Sequence, residues 1–488
     1  MKIKKVIIIF LLGLITLLHI SCSDDYLDVS DPNNLSPDTF WKTEEDGIKA
    51  ITATYALFQY QVWSGRWGWF EMGYMNLECR SDLINLFDMW SPFGKMSRYD
   101  ADPTSYVLHD YWSFTYQALY AANQVIENVH NLNTTEEIKN TFLGEAKFLR
   151  AYAHYLLFTN FGNIIIKTST PKSATDYYSK QSSEADVWAI IEQDLIDAKK
   201  FLPLSWDSKW LGRATKGAAS ALLAKAYLWQ KKWSEAETEL KEIVNSGVYS
   251  LEADYASLFN GKNEHSSESI FEINFTMNND GGRNERNSFP AMQTDWKMST
   301  PNEFMRNLYL QDTTATGTLS QRVTGSVIFK NLATDTLNNT GWKKYSFHDE
   351  NTNKGYNFSH SGTNFLVIRY ADVLLMLAEA LNEQGSTGEA VGFVNQVRAR
   401  AGVLNISNLN QSDLRNHIRH VERPLELAAE TGRFYDLVRW YRGEDLKAVL
   451  VAHGREAGNN FNNNNDLYYP IPSDELTSNP LIQQNPGY

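Results

Sequence analysis

Residues 217–248 of the chain read GAASALLAKAYLWQKKWSEAETELKEIVNSGV, with small and bulky apolar residues at helical intervals. Six apolar positions in this stretch recur with the same spacing 154 residues later: Leu223, Ala224, Tyr227, Ala236, Leu240 and Ile243 match Leu377, Ala378, Leu381, Ala390, Val394 and Val397. In each copy two alanines stand 12 residues apart. This spacing is typical of a tetratricopeptide helix hairpin, in which small residues let two helices approach and bulky residues fill the groove to the next pair.

Apolar periodicity predicts further helices on both sides of this stretch. They cover residues 43–61, 111–130, 142–161, 184–201, 367–383, 388–401, 412–431 and 434–441. The two hairpin copies lie too far apart for a regular array, so a large segment is inserted between them. In this insertion, residues 250–364, Phe271, Ile273 and Phe275 alternate with polar residues and predict a strand. The predicted fold is therefore mostly α, a helix-hairpin superhelix with a loop-rich insertion that carries short strands.

Aromatic residues concentrate in residues 63–93, WSGRWGWFEMGYMNLECRSDLINLFDMWSPF. The stretch contains eight aromatic residues, whereas the chain-wide share of 13% would give about four. Glycines interrupt it and no helical or strand period runs through its first half. Flat rings in such a loop suit a sugar platform, because the C–H face of a pyranose stacks on indole while polar side chains bind the hydroxyls.

The residues that we predict to contact a glycan come from this stretch and from the insertion. They are Trp63, Trp67, Trp69, Tyr74, Arg80, Asp82, Trp90, Trp296, Trp342 and Tyr345. The alternative is that the rings pack beneath long loops and attach them to the helical scaffold, since tryptophan buries well.

The N-terminus has the features of an export signal. Three lysines precede the apolar run 6–18, which is too short to span a bilayer. Ile20, Ser21 and Cys22 resemble a bacterial lipoprotein processing site, and the acidic residues that follow resemble a cell-surface sorting signal of Bacteroidetes lipoproteins. We therefore expect a signal peptide at 1–21, a lipid anchor on Cys22, a tether at 22–35 and a single domain at 36–488, with the helical scaffold at 36–249 and 365–488.

Charge and motifs argue against several other functions. The net charge of −13 disfavours nucleic acid as a partner, since phosphate-binding surfaces need clustered Lys and Arg. The sequence contains no HExxH, no GxSxG and no phosphate-binding P-loop motif. We predict no cofactor and no metal site: His417 and His420 lack further ligands, and Asp100 with Asp102 gives only a weak indication of a structural calcium ion. Cys79 has no partner for a disulfide once Cys22 carries lipid.

Seven stretches together resemble the SusD/RagB family of outer-membrane nutrient-binding lipoproteins of Bacteroidetes. They are CSDDYLD from Cys22, GEAKFLRAY from Gly144, GRATKGAA from Gly212, IRYADVLLMLAEA from Ile368, ERPLEL from Glu422, GRFYDLVRW from Gly432 and YPIP from Tyr469. The resemblance implies a right-handed superhelix of tetratricopeptide-like hairpins whose loop-rich side binds a glycan. It also implies a TonB-dependent outer-membrane transporter as partner, for which this lipoprotein is the lid and breaks no bond.

Charged residues within these stretches have a structural interpretation. Arg369, Asp372, Glu379, Arg423, Glu426, Arg433 and Asp436 stand among apolar residues, which favours buried Arg–carboxylate pairs between hairpins over catalysis. Two other functions stay open. A helical glycoside hydrolase needs only two suitably placed acids among 58 acidic residues, and the same scaffold can bind peptides or other nutrients.

Overall fold

The computed structural model of the protein describes residues 40–59, 79–86, 91–275, 299–328, 341–345, 362–430 and 432–488. Several predictions fall outside these residues. They are the signal peptide, lipid anchor and tether at 1–35, and the candidate sugar contacts Trp63, Trp67, Trp69, Tyr74, Trp90 and Trp296.

Helices form most of the described structure. Before the insertion they are α1 Glu44–Leu57, α2 Ser91–Ser97, α3 Tyr106–Asn128, α4 Glu136–Phe161, α5 Glu184–Phe201, α6 Lys216–Trp229 and α7 Trp233–Ser246. The insertion contributes α8 Glu303–Gln311 and α9 Gln321–Ser326. The remaining helices are α10 Tyr370–Glu383, α11 Thr387–Ala401, α12 Gln411–His417, α13 Arg423–Leu427, α14 Arg433–Tyr441, α15 Leu446–Ala452 and α16 Ser473–Ser478. Short 3-10 turns lie at Val129–Asn131, Ala174–Tyr177, Tyr255–Phe259 and Glu456–Asn460.

Serine and threonine side chains cap the N-termini of several of these helices. The Thr43 and Asp46 side chains form a capping box at the start of α1. Thr135, Ser183 and Thr215 accept a backbone N–H at the starts of α4, α5 and α6. These hydrogen bonds satisfy donors that have no partner within the helix. The cap at Thr135 explains why α4 starts six residues before the predicted position 142.

The two copies of the hairpin pattern are confirmed, and they are neighbours in space. Helices α6 and α7 form the first hairpin, α10 and α11 form the second, and α7 packs against α10. Side-chain contacts join the copies: Lys241 Nζ lies 2.9 Å from the Glu389 carboxylate, and Gln384 donates a 2.7 Å hydrogen bond to Glu237. The insertion therefore leaves the helical stack and returns to it at the same place, so the stack continues without a gap.

Three two-stranded antiparallel sheets accompany the helices in the part of the chain that the structure describes. Their strands are β1 Ile84–Leu86 with β3 Ser299–Pro301, β2 Ser269–Ile273 with β6 Phe365–Arg369, and β4 Val327–Ile328 with β5 Gly341–Trp342. The strand predicted around Phe271 is confirmed as β2. Its partner β6 shows that the predicted helix start at position 367 was wrong, since Val367 lies within a strand and α10 begins at Tyr370. The sequence of β6 is apolar throughout, and periodicity alone cannot separate such a short run from a buried helix.

The predicted helix over 412–431 is interrupted. Helix α12 ends at His417, a π-helical turn covers Ile418–Glu422, and α13 starts at Arg423 with Pro424 in its first turn. Proline lacks the N–H that a continuing α-helix would use, so it is tolerated at a helix start and not in an interior.

A buried network of ion pairs confirms the structural interpretation of the family's charged residues. Arg369 is 1% exposed and contacts the carboxylates of Glu268, Glu426 and Glu430 at 2.6–2.7 Å. Burial alone would raise the pKa of Glu426, but Arg400, Arg369 and Arg322 together lower it to about 2. Glu426 is therefore ionised at neutral pH, and its charge compensates those of the neighbouring arginines.

A second set of buried pairs joins the last hairpins. Arg423 bridges Asp372 and Asp436 at 2.8 and 2.6 Å. Arg439 donates to both oxygens of Glu379, at 2.5 and 2.7 Å. Arg433 forms a two-pronged contact with Asp82 at 2.7 and 2.6 Å. The N–H donors of a planar guanidinium group have a fixed geometry, which restricts where the carboxylates can lie. These pairs therefore fix the relative positions of the elements that carry them.

Replacement of Arg369 with Met tests the network. We expect R369M to lower the free energy of unfolding by about 3–5 kcal/mol, because three buried carboxylates lose their common partner. Urea denaturation followed by circular dichroism gives the value. The matched control is R442M, since Arg442 pairs with Glu184 at a site where both side chains are about 40% exposed, and such pairs contribute less than about 1 kcal/mol. Equal losses in the two variants would contradict the assignment.

Candidate functional site

The aromatic stretch and the insertion leave the described body of the protein at one place. Gln59, at the end of α1, donates a 2.6 Å hydrogen bond through Nε2 to the backbone oxygen of Asn274, just past β2. Asn364 donates through Nδ2 to Asn274 Oδ1 at 3.2 Å and accepts the N–H of Phe275 at 2.7 Å. The chain ends that flank residues 60–78, 276–298 and 346–361 are thus held together by hydrogen bonds.

Further contacts bring together the other ends of these segments. In the β1–β3 sheet, Leu86 is opposite Ser299, so the chain just before residues 87–90 pairs with the chain just after 276–298. In the β4–β5 hairpin, Ile328 is opposite Gly341 on either side of residues 329–340. The β1–β3 ladder therefore anchors the aromatic stretch to the insertion, and the β4–β5 ladder joins two parts of the insertion.

Arg80 and Asp82, which were predicted to bind sugar hydroxyls, are buried. Arg80 is 2% exposed and lies between the rings of Phe434 and Tyr469, 4.1 and 3.7 Å from their centroids. Asp82 is fully buried; burial opposes its ionisation, but Arg433 and His453 hold its pKa well below the usual range. Both side chains attach the end of the aromatic stretch to the C-terminal helices, so they are removed from the candidate sugar contacts.

Trp342 and Tyr345 are also interior residues. Trp342 is 1% exposed and packs in an apolar cluster with Leu83, Ile84 and Met305. Tyr345 is 1% exposed, and its ring lies 5.1 Å from that of Phe365. Neither ring has a face exposed to a ligand. Both rings instead attach loops to the helical scaffold, which was the alternative interpretation of the aromatic residues. Lys344 between them reinforces this attachment, with Nζ 2.6 Å from Glu430.

A cavity lined by described residues lies directly beside Gln59 and Asn274. Its volume is about 270 Å³. The walls come from α1, from residues 209–213 between α5 and α6, and from β2. A second cavity of about 200 Å³ lies on the other side of residues 211–213. Gly212 separates the two: its φ is +89°, and a Cβ there would lie 2.1 Å from the Asn274 side chain.

An ion pair with unusual electrostatics lies at the wall of the larger cavity. Arg213 Nη1 is 3.3 Å from Glu145 Oε1, and Glu145 is fully buried in α4. Burial raises the pKa of Glu145 to about 7, although Arg213 and Tyr55 favour its ionised form. Arg213 also stacks on Trp210, with its guanidinium carbon 4.1 Å from the ring centroid.

The described residues contain no group of three or more His, Cys, Asp or Glu side chains arranged to hold a metal ion. His417 pairs with Glu422 at 2.9 Å and His420 with the Tyr441 hydroxyl at 2.8 Å, so the two rings have separate partners. The Asp102 carboxylate is bound by Lys95 at 2.9 Å and by Thr104. Among helices in the described ranges, none is long and apolar enough to cross a membrane.

Comparison with known proteins identifies the family. Residues 231–488 match the sequence model of the SusD family, and residues 25–228 match a family described as starch-binding associating with outer membrane. Because the first match spans more than half of the chain, the protein belongs to the SusD family. The helical fold predicted from the hairpin spacing is the fold of this family.

Individual relatives cover nearly the whole chain. SusD-like protein P2 of Formosa agariphila is 30% identical, and the alignment covers 99% of this chain and 100% of the relative. A solved SusD superfamily structure from Bacteroides vulgatus aligns with a TM-score of 0.81 at 26% identity, over 92% of this chain and 100% of that one. A laminarin-binding SusD-like protein aligns with a TM-score of 0.76 at 27% identity over the same shares.

Sequence reasoning missed the residues of the larger cavity. Gln59, Trp210, Arg213 and Asn274 were not among the predicted contacts, although they lie at the ends of predicted elements. One signal was available: GRATKGAA and GEAKFLRAY are both family stretches, and Arg213 and Glu145 are their charged partners. Nothing in the spacing connects them, since they are 68 residues apart.

Replacement of Gly212 with Ala tests the contact between residues 211–213 and Asn274. We expect G212A to loosen the ends of the insertion, because a Cβ would displace the Asn274 side chain. Amide hydrogen exchange at Phe275, whose N–H donates to Asn364, should rise at least tenfold. Gly247→Ala is the control, since Gly247 also has a positive φ, of +65°, but no atom lies within 4 Å of its Cβ position. Unchanged exchange in G212A would contradict the assigned contact.

Proposed function

We propose that the protein is a cell-surface glycan-binding lipoprotein that captures polysaccharide or oligosaccharide without breaking bonds and delivers it to a TonB-dependent transporter. The observation that carries this proposal is the common anchor of the aromatic stretch and the insertion at Gln59, Asn274 and Asn364. Trp63 stands four residues after Gln59, and four residues of extended chain span at most about 14 Å. At most about 14 Å of chain therefore separates Gln59 from the first proposed sugar contact.

The proposed contacts are Trp63, Trp67, Trp69, Tyr74, Trp90 and Trp296. Their ring faces suit the apolar faces of sugars, and the polar residues among them suit the hydroxyls. The relatives support a carbohydrate ligand: one structural neighbour above 25% identity is a laminarin-binding protein, and the N-terminal part matches a starch-binding family.

The charged residues of the family stretches favour binding over hydrolysis. A glycoside hydrolase needs two carboxyl groups that flank the scissile bond. Asp372, Glu379, Glu426 and Asp436 are each held by arginine in the interior of the described fold, and their pKa values lie below the usual range. A carboxyl with a lowered pKa is a poor general acid at neutral pH, so these residues serve the scaffold.

The anchor and the transporter complete the proposal. The match of residues 25–228 to a family associated with the outer membrane supports that location, and Cys22 supplies the site for the lipid. A lid that closes over a transporter needs one face for the ligand and another for its partner. The anchored loops would supply the first of these faces, and the hairpins would supply the rigid body behind it.

Removal of two proposed stacking rings tests the ligand site. We expect the W67A/W90A double variant to bind its glycan more weakly, by about 1 to 3 kcal/mol for each ring. A panel of polysaccharides in affinity gels identifies a ligand, and calorimetry then measures the affinity. Thin-layer analysis of the same mixtures should show no product.

The control for that test is Y177A/Y178A. These tyrosines are 67% and 51% exposed in the turn between α4 and α5, away from the anchored ends. Unchanged affinity in W67A/W90A with cooperative unfolding would remove the aromatic stretch from the site, and product formation would favour a hydrolase.

Replacement of Cys22 tests the anchor. In its bacterial host, the wild-type protein should partition into the detergent phase and carry lipid at Cys22, because two acyl chains give stable membrane attachment. The C22A variant should be found in the aqueous fraction. External protease should digest the wild-type protein on intact cells if it faces outward. Lipid attached to C22A, or wild-type protein free of lipid, would overturn this part of the proposal.

A further inference from the structure

The larger cavity has the size and lining of a site for one small ring. Its volume of about 270 Å³ is just below the range of about 300 to 1,000 Å³ that is typical of ligand pockets. Its lining includes the apolar side chains of Phe58, Phe271 and Ile273 and the polar side chains of Gln59 and Arg213. A ligand that has both apolar surface and hydroxyl groups matches this mixed lining.

Arg213, which lines this cavity, has a hydrogen-bond donor without an acceptor. Its side chain is 10% exposed, and its one hydrogen bond goes from Nη1 to Glu145. The Nη2 group is buried and has no hydrogen-bond partner in the structure. A buried donor without an acceptor costs about 1–3 kcal/mol. Native proteins rarely retain such a group, and an oxygen atom of a ligand in the adjoining cavity would satisfy it.

Trp210 holds this guanidinium in place and is not itself a stacking surface. The Arg213 guanidinium carbon and the Lys209 ammonium lie 4.1 and 4.3 Å from the centroid of its ring. A ligand would have to compete with these two cations for the ring. Recognition therefore falls to hydrogen bonds from Arg213 and Gln59 and to contact with the apolar side chains of the lining.

The charges around the cavity are largely compensated. Arg213 faces Glu145 at 3.3 Å, and Glu272, which lines the cavity, is paired with His265 at 2.5 Å. Lys209 is exposed at the mouth. Hydroxyl groups can use the free Nη2 donor and the amide of Gln59 without displacing either of these pairs.

We propose that this cavity binds a single uncharged pyranose residue, the terminal sugar of a glycan chain or branch. The inference rests on the proposed function, since the same glycan would be held by the aromatic stretch that begins four residues after Gln59. The cavity would thereby select glycans with a free end or a branch within reach of the platform.

The test uses the mature protein and the methyl glycosides of glucose, galactose, mannose and xylose as probes, with saturation-transfer NMR as readout. Ala56 is an exposed residue of α1 that lines the cavity, so A56W fills the space without removing a contact. Its control is A189W on the exposed side of α5. We expect at least one glycoside to bind the wild type and A189W, and its signal to fall at least tenfold in A56W.

The outcomes separate this inference from the proposed function. A glycoside signal that survives in A56W and disappears in W67A/W90A would overturn the cavity site and support the aromatic platform. A polysaccharide that binds wild type and A56W equally, with no glycoside bound, would also overturn it. Absence of any polysaccharide or glycoside binding would overturn both proposals.

Two further variants test the role of the Arg213 donor group and the charge of the bound sugar. R213K keeps the positive charge but removes the planar donor group, and it should weaken glycoside binding at least threefold with cooperative unfolding retained. If methyl glucuronide binds at least tenfold more tightly than methyl glucoside and K209Q removes that preference, the ligand class is an acidic sugar, and the assignment to an uncharged residue is wrong.

Discussion

The contact of Arg369 with Glu268, Glu426 and Glu430 is the constraint on which the rest of the structure depends. Arg369 ends β6, where the chain returns from the insertion and enters α10. Glu268 immediately precedes β2 in the insertion, Glu426 lies in α13, and Glu430 lies in the turn between α13 and α14. One guanidinium therefore fixes the exit of the insertion, its return and the last hairpins against one another. Apolar packing alone would allow these elements to slide, but a planar donor with three carboxylates allows one arrangement.

Such a network requires complete pairing. Moving charges into the interior costs several kcal/mol for each ion, and the mutual attraction offsets that cost only when every group finds a partner. Charges of opposite sign alternate around Arg369: Arg400 also contacts Glu268 and Glu426, while Arg322 contacts Glu422. Lys344 extends the same network to the strand β5, although burial lowers its pKa to about 8. Buried ion pairs and β-ladders thus both attach the insertion to the helical scaffold.

The helical scaffold could be predicted from the sequence because its signals are local. The alanines of each hairpin lie 12 residues apart, and the caps lie within a few residues of the helices they start. The scaffold role of Arg423 and Asp436 could also be predicted from the sequence, because charged residues on an apolar helix face need partners. The strand β6 was mistaken for the start of a helix because its partner β2 lies about one hundred residues earlier. Burial of Asp82 depends on Arg433 and His453, which are 351 and 371 residues away. The aromatic residues Trp342 and Tyr345 look the same in sequence whether they face a ligand or a core.

The direct contact between α7 and α10 has a consequence for how the chain folds. The apolar face of α7 is completed by a helix that begins more than 120 residues later, so the first half of the stack has an unfinished end until the whole insertion has been synthesised. Contacts of such sequence separation form slowly, because a long loop must close before they give any stabilisation. The N-terminal helices can assemble early as a partial stack, with an apolar surface left open. Folding is then completed in one late step, in which β6, the buried ion pairs and the second hairpin form together.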